Sequence, residues 1–163
     1  MSAPIEMTFH VARPVDEVWS FLTEPANIAA CLPGARLVEV IDERTFLGEV
    51  ALRLGPFGAR FRGEARFTRL DARERVAELE ASAREDRGLA TGEMRMRSRL
   101  RDDGPGTRVE LEQSIRLAGR LSGFIASALV RQAAEFVLSR FAECVRARLE
   151  GRGRGGAVGQ TVR

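Results

Sequence analysis

The sequence predicts an α+β fold in which a curved antiparallel sheet of seven strands wraps around one long C-terminal helix. The first observation is a set of stretches in which apolar and polar residues alternate, most of them joined by short turn sequences. Such a pattern is typical of antiparallel strands. The second observation is a long segment with helical periodicity near the C-terminus, which is the predicted element large enough to cover the apolar face of the sheet.

The predicted elements follow one another in a simple order. Residues 5–12 alternate and form the first strand, and Pro14 and Pro25 suit the first turns of two short helices. The segment "RLVEVIDERTFLGEVALRL" contains two strands, and "ARFRGEARFTRL", "RVAELEASARE", "LATGEMRMRSRLR" and "TRVELEQSIRL" contain one each. The long helix covers residues 121–150. Residues 1–150 therefore form one domain, and the Gly/Arg-rich residues 151–163 are expected to be a disordered tail.

Composition places the chain among globular proteins of one domain. It has 163 residues, of which 44% are hydrophobic and 30% charged. The N-terminus lacks the pattern of a secretion signal and no apolar run is long enough to span a bilayer, so we expect a cytoplasmic protein. Two cysteines, Cys31 and Cys144, suggest a reducing cytosol without a disulfide framework. They can pair only if the fold brings them together.

The basic residues raise the question of nucleic-acid binding, because all 26 of them are arginine. The 23 acidic residues nearly balance them, leaving a net charge of +3. On the outward faces, the fourth and sixth strands carry mainly arginine and the fifth and seventh begin with glutamate. Counting from the turns predicts cross-strand pairs. These are Glu80–Arg95, Glu78–Arg97, Arg97–Glu112 and Arg99–Glu110. Arginines paired with glutamates are not free to bind a phosphate backbone, so no nucleic-acid partner is expected.

The inward faces contain many small residues, and so does the helix that must cover them. Two surfaces of small residues either approach closely or leave a space, and a curled sheet resists close approach along its whole length. We therefore expect an apolar ligand cavity, the alternative being a close-packed core filled by phenylalanines. The predicted lining is Phe46, Val50, Leu52, Phe57, Ala59, Phe61, Gly63, Phe67, Leu79, Ala81, Met94, Met96, Leu111, Gln113, Phe124 and Ala128.

The meander brings three connections and the start of the long helix to one end of the molecule. The helix start, "GFIASALV", is apolar almost all round, which a one-sided surface helix would not be. This end is predicted to be the mouth of the cavity, formed by Cys31, Leu32, Pro33, Gly34, Gly55, Pro56, Ile125 and Leu129. Arginines near the mouth suggest reversible contact with anionic lipid. Alternatively, Phe57 and Phe124 simply close one end of the core.

The catalytic inventory of the sequence is small. The chain has one histidine and no tyrosine, and His10 falls on the outward face of the first strand. A serine or cysteine nucleophile would therefore lack its usual base, and two distant cysteines are a weak start for a metal site. Gln113 or Arg131 could polarise a substrate carbonyl, although Gln113 also fits a buried, hydrogen-bonded amide. The residues favour a non-catalytic protein, with a cyclase- or hydrolase-like enzyme acting on an apolar substrate as the alternative.

Three blocks of the sequence resemble one known family. They are "PANIAACLPGARLVEV", "VALRLGPFGARFRGEARFTRLD" and "GTRVEL", the last followed by "AGRLSGFIASALVRQAAEFVLSRF". They are similar to the CoxG family, a family of carbon monoxide dehydrogenase subunits within the helix-grip, SRPBCC/START-like superfamily, over residues 5–149. The resemblance implies a hydrophobic-ligand-binding accessory protein that recruits CO/xanthine dehydrogenase-type molybdenum hydroxylases to the inner face of the membrane.

The resemblance also sets the expected ligand and partners. It implies no covalent cofactor, but a bound apolar molecule such as a quinone or lipid. The partners expected are this small molecule, a molybdenum hydroxylase complex and the membrane surface, with a homodimer left open.

Overall fold

The computed structural model describes residues 4–54, 56–120 and 127–153, which form one seven-stranded antiparallel sheet and three helices. Strand β1 spans Ile5–Val11, helices α1 and α2 span Val15–Leu22 and Pro25–Cys31, and strands β2 to β7 span Ala35–Val40, Thr45–Leu54, Phe57–Asp71, Val76–Glu85, Thr91–Asp103 and Gly106–Ala118. Helix α3 spans Ser127–Gly153. The predicted α+β fold is confirmed. Helix α3 runs three residues into the predicted tail, and residues 154–163 lie outside the described residues.

Strands β2 to β7 form a meander, and β1 pairs with β7 at one edge of the sheet. The strand order is β1-β7-β6-β5-β4-β3-β2, so β1 lies at one edge beside β7 and β2 lies at the other. The β4–β5 pair shifts register between Phe67 and Arg69, and the β2–β3 pair shifts between Leu37 and Glu39. Irregularities of this kind bend strands and increase their twist, which helps the sheet to curve around a helix.

The C-terminal half of α3 packs against the β1–β7 edge and against α1 and α2. Its buried stripe contacts Phe9, Val11 and Val109 of the sheet and Val18 of α1 in one cluster. The spacing of the stripe is that of one helix face, as amphipathic packing requires. The stripe consists of Ala134, Leu138, Phe141, Ala142, Val145 and Leu149.

A disulfide joins α2 to α3, and the expectation of no disulfide is wrong. Cys31, the last residue of α2, is bonded to Cys144 in α3, with the two Cα atoms 5.4 Å apart. The cysteines are 113 positions apart in sequence, so no local pattern indicated their proximity. They meet because α2 packs beside α3. The fold thus brings the two cysteines together, which was the stated condition for their pairing.

The outer face of the sheet has the predicted register of opposite charges, and two of the four predicted pairs form ion pairs. The register places Glu80 opposite Arg95, Glu78 opposite Arg97, Arg97 opposite Glu112 and Arg99 opposite Glu110. Arg95 Nε lies 3.6 Å from Glu80 Oε2, and Arg97 Nε lies 3.2 Å from Glu78 Oε2. Exposed pairs of this kind contribute about 0–1 kcal/mol each. Their main consequence is that the paired arginines do not form a surface of unopposed positive charge.

Candidate functional site

The buried residues of the inner face form one large cluster and two small ones, and Trp19 and Ile28 pack against both the large cluster and one of the small ones. The first is the large cluster under the C-terminal half of α3. The second centres on Phe61 and contacts Leu129 and Val130 near the start of α3. The third centres on Phe46 and Phe67, whose ring centroids are 6.1 Å apart, and it contacts α1 and α2. One core with smaller satellite clusters is the usual arrangement in a domain, and the inner-face surface between these clusters is the candidate site.

The centre of the inner face is only half-buried. Ala81 lies opposite Ala65 on β4 and Met94 on β6, so these three residues form one row across the sheet. Ala81, Met94 and Val50 of β3 are half-buried and belong to none of the three clusters. Each of these three side chains therefore keeps accessible surface on the inner face of the sheet.

Two inward glycines have different roles, and one of them corrects a prediction. A Cβ atom on Gly92 would meet Leu117 Cδ1 at 3.7 Å and Phe61 Cε2 at 3.8 Å, which are ordinary contacts. Gly92 thus leaves room for a side chain. A Cβ on Gly63 would lie 2.0 Å from the Ser82 carbonyl oxygen. Gly63 was predicted to line the cavity, but its missing side chain allows β4 and β5 to approach each other.

The other predicted lining residues divide into three groups. The packed clusters contain Phe46, Ala59, Phe61, Phe67 and Leu111, which are buried. The half-buried group consists of Val50, Leu52, Leu79, Ala81, Met94, Met96 and Gln113. Ala128, near the start of α3, is exposed. Phe124 and the side chain of Phe57 lie outside the described residues.

The side chain of Gln113 had two interpretations from the sequence. It could polarise a substrate carbonyl, or it could be a buried amide with its hydrogen bonds satisfied. Its Oε1 atom is buried and has no hydrogen-bond partner within the described part of the chain. The reason is its surroundings, since its register partners are Ile5 on β1 and Met96 on β6. Neither side chain offers a donor.

The "ACLPGA" turn is firmly attached to the sheet. Gly34 has φ +80°, and its carbonyl oxygen accepts a 2.9 Å hydrogen bond from the Ala51 N–H. A Cβ at Gly34 would lie 2.3 Å from the Ala51 carbonyl oxygen, so only glycine fits. Leu32 and Pro33 are half-buried. Cys31 was predicted at the mouth, but its side chain is buried in the first cluster by the disulfide.

Hydrogen bonds link two segments of the chain at the predicted mouth. Asp86 N–H donates to the Arg60 carbonyl oxygen at 2.9 Å, and the Arg87 side chain donates to the Gly58 carbonyl oxygen at 3.0 Å. These bonds join the β5–β6 connection to the start of β4. Leu129 is half-buried beside this end, in the second cluster, and Pro56 is exposed. The predicted mouth residues Gly55 and Ile125 lie outside the described residues.

A buried carboxylate that the sequence reading missed holds this end together. Glu85 is 1% exposed and accepts hydrogen bonds from the N–H groups of Arg87 and Leu89 and from Arg87 Nε at 2.7 Å. Burial raises the pKa of the Glu85 carboxyl, but the bonds from Arg87 and Leu89 outweigh burial and lower the pKa below its ordinary value. Glu85 continues the inward alternation of Ala81 and Ala83 along β5. This position could have indicated from the sequence that its side chain is buried.

Two of the groups considered for catalysis, His10 and Arg131, make contacts away from the inner face. His10 is exposed on the outer face, as predicted, with its Nε2 atom 3.6 Å from Asp103 Oδ2. Arg131 donates to the Pro4 carbonyl oxygen at 3.4 Å and forms an ion pair with Glu135. Across residues 4–54, 56–120 and 127–153, no three His, Cys, Asp or Glu side chains converge to hold a metal ion. No helix in these ranges is long and apolar enough to cross a membrane.

A depression on the outer face does not match the candidate site. It has a volume of about 310 Å³ and is lined by Glu6, Thr8, Arg97, Arg99, Glu110, Leu111 and Glu112. Two of its charges are already paired, Arg97 with Glu78 and Glu110 with Arg101. This surface is open and mostly charged, so it lacks the apolar enclosure of a small-molecule site.

Comparisons with known proteins agree with this geometry. The model of the CoxG family, described as a carbon monoxide dehydrogenase subunit, matches residues 8–150. No protein of curated function matches the sequence significantly. A solved structure of a conserved protein from Geobacillus kaustophilus has 16% identity and a TM-score of 0.78, with 90% of this chain and 94% of that chain covered.

Two further solved structures have the same fold. The Zhui aromatase/cyclase from Streptomyces sp. R1128 is 18% identical with a TM-score of 0.62, covering 94% of this chain and 97% of that one. A START superfamily protein from Mycobacterium smegmatis is 13% identical with a TM-score of 0.61, covering 92% and 99%. At these identities the likeness concerns the fold, which is of the helix-grip, START-like type.

Proposed function

The chain belongs to the CoxG family of carbon monoxide dehydrogenase subunits, and from that premise we propose that it is a non-catalytic carrier of an apolar small molecule. The ligand, of the quinone or lipid type, lies between the inner face of the sheet and α3. The protein also serves as an accessory that brings a CO/xanthine dehydrogenase-type molybdenum hydroxylase to the inner face of the membrane. The observation that carries the proposal is the half-buried centre of the inner face, where Val50, Ala81 and Met94 belong to none of the three core clusters of the described residues.

The chemistry of this surface supports an apolar ligand. Val50, Ala81 and Met94 present aliphatic and thioether groups, with Leu79 and Met96 in the neighbouring row. Burying apolar surface against them stabilises a complex by about 25 cal/mol per Å² before the costs of association. Methionines at two of these positions allow the surface to adapt to ligands of different shape.

Filling the centre of the inner face tests ligand binding. Ala81→Leu adds a branched side chain toward α3, whereas Ser82→Leu adds the same group at the next position, on the exposed outer face. Binding of menadione, an apolar naphthoquinone, is followed through the fluorescence of Trp19. This is the single tryptophan of the chain and it contacts the first and third clusters. Ala81→Leu should weaken binding at least tenfold (about 1.4 kcal/mol) and Ser82→Leu should not. Equal binding by both variants and the parent would contradict the proposed site.

Membrane contact is proposed for the mouth. Leu32 and Pro33 are half-buried there and Pro56 is exposed, and a basic residue near anionic lipid contributes about 1 kcal/mol. Co-sedimentation with anionic liposomes should weaken with salt and fall in the Phe124→Ser/Ile125→Ser variant. Phe136→Ser is the matched control, because Phe136 is an exposed phenylalanine of α3 outside the predicted rim. Equal sedimentation of all three proteins would count against the mouth as the contact surface.

Recruitment of the enzyme is tested separately. A purified molybdenum hydroxylase of the same organism should co-sediment with anionic liposomes in the presence of this protein and remain in solution without it. The same distribution in both samples would refute the accessory role while leaving ligand binding intact.

A cyclase- or hydrolase-like enzyme is a second candidate function, favoured by the unpartnered amide of Gln113. Such an amide, turned to present its N–H group, could polarise a carbonyl of an apolar substrate. The two functions differ in the fate of the ligand. A carrier returns its ligand unchanged when the loaded protein is extracted with organic solvent and the extract is identified by mass spectrometry.

A further inference from the structure

Gln113 is the polar residue in an apolar row of the inner face. The row runs across the sheet from Leu79 on β5 through Met96 on β6 and Gln113 on β7 to Ile5 on β1. The inward neighbours of Gln113 along β7 are Leu111 and Ile115, which pack in or against the first cluster. A glutamine in this position gives up hydration without gaining a partner from the adjacent side chains.

The orphan atom is the carbonyl oxygen of the side chain. Oε1 is buried and accepts no hydrogen bond from any described residue. A buried acceptor left unpaired costs about 1–3 kcal/mol, and most buried polar atoms in folded proteins are paired. Met96, the register partner of Gln113 on β6, is half-buried, so the inner face beside this row keeps accessible surface.

We infer that the molecule held on this face carries an O–H or N–H group that donates a hydrogen bond to Gln113 Oε1. The inference rests on the proposed carrier function and specifies the class of ligand. The ligand is an apolar molecule with a hydroxyl or amino head, such as a phenol or hydroquinone, in preference to a hydrocarbon or an ether. Its apolar part lies along the Ala81–Met94 row.

A pair of probes that differ only in the donor tests the inference. The probes are 2-naphthol, which has an O–H group, and 2-methoxynaphthalene, in which that hydrogen is replaced by methyl. Both are titrated by calorimetry into the parent protein, Gln113→Met and Gln132→Met. Methionine approximates the length of glutamine without its amide, and Gln132 is an exposed residue of α3 that serves as the matched control.

The parent and Gln132→Met should prefer 2-naphthol by about tenfold, the effect of one net hydrogen bond. Gln113→Met should lose this preference while binding 2-methoxynaphthalene at least as well as the parent. Comparing the two probes in both proteins cancels the effect of the extra methyl group on the binding free energy. The same preference in Gln113→Met as in the parent, or none in the parent, would overturn the donor assignment and leave the carrier function standing. Failure of the parent to bind either probe would overturn both.

A second measurement needs no variant. In protein labelled with ¹³C at glutamine side-chain carbonyls, the Gln113 resonance should shift when 2-naphthol is added and shift much less with 2-methoxynaphthalene. The Gln132 resonance should not respond. An equal response of Gln113 to the two probes contradicts the inference even if Gln113→Met does not fold.

Discussion

Reduction of the Cys31–Cys144 disulfide should lower the free energy of unfolding by several kcal/mol without changing the folded structure. The bond closes a loop of 113 positions. In the chain-entropy model, a cross-link over this separation restricts the unfolded chain by about 4.8 kcal/mol at 25 °C. Cys31 is buried among apolar side chains of the first cluster, where a thiol packs as a small hydrophobic group. The native contacts should therefore survive reduction, and the effect should arise in the unfolded state.

The assay is urea unfolding followed by Trp19 fluorescence, with and without a phosphine reductant. Thiol counting in denaturant establishes whether each sample is bonded or reduced. The parent should show a clearly lower unfolding midpoint after reduction and a melting temperature lower by about 10–20 °C. The Cys31→Ala/Cys144→Ala variant should be insensitive to reductant. It is the control for effects of the reductant on other groups.

Two results would refute this reasoning. The first is an unchanged midpoint in a sample that thiol counting shows to have passed from bonded to reduced. The second is two free thiols in the protein purified without reductant, which would mean that α2 and α3 hold the cysteines together without a bond.

Three other predictions concern packing and pH. Leu138→Ala should lower the free energy of unfolding by about 2–5 kcal/mol, because the Leu138 side chain is only 2% exposed between α3 and the sheet. An effect under about 1 kcal/mol in urea unfolding would show that the buried stripe of α3 is loosely packed. Gly63→Ala should lower the free energy of unfolding by about 1–3 kcal/mol or more, whereas Gly92→Ala should change it by less than about 1 kcal/mol. Thermal melts in which Gly92→Ala is the less stable variant would contradict the Cβ distances. The hydrogen bonds to Glu85 lower its pKa in the folded state, so its contribution is present at neutral pH and is lost as the pH falls through that pKa. Urea midpoints across the acid range should fall less steeply for Glu85→Gln than for the parent, and parallel curves would exclude Glu85 as a source of the acid sensitivity.

Most of the fold was predictable because local patterns determine it. Alternation of period two marks each strand, and the short turns set the register, which is why pairs such as Glu80–Arg95 follow from counting alone. The same parity placed Ala81, Met94 and Gln113 on the inner face. For the candidate site, the sequence therefore indicated which side chains point toward α3.

The roles of small inward residues were less predictable. Gly63 and Gly92 have the same inward parity, yet a Cβ atom would collide with the neighbouring strand at Gly63 and make ordinary contacts at Gly92. A glycine has no side chain whose type could distinguish these roles. The distinction depends on the local distance between strands, and the bulge between Phe67 and Arg69 that accompanies the bending is not marked by any residue preference.

The sequence by itself determined the element order, the inward or outward direction of most residues in β4 to β7 and the register of the charges on the outer face, because these depend on neighbours a few residues away or on turns of defined length. Only the tertiary structure decided the Cys31–Cys144 bond, the network around Glu85 and the unpaired oxygen of Gln113. Each of these depends on where α2, α3 or a connecting loop lies against the sheet. That placement results from the packing of many weak contacts between residues distant in sequence, and no local periodicity records it.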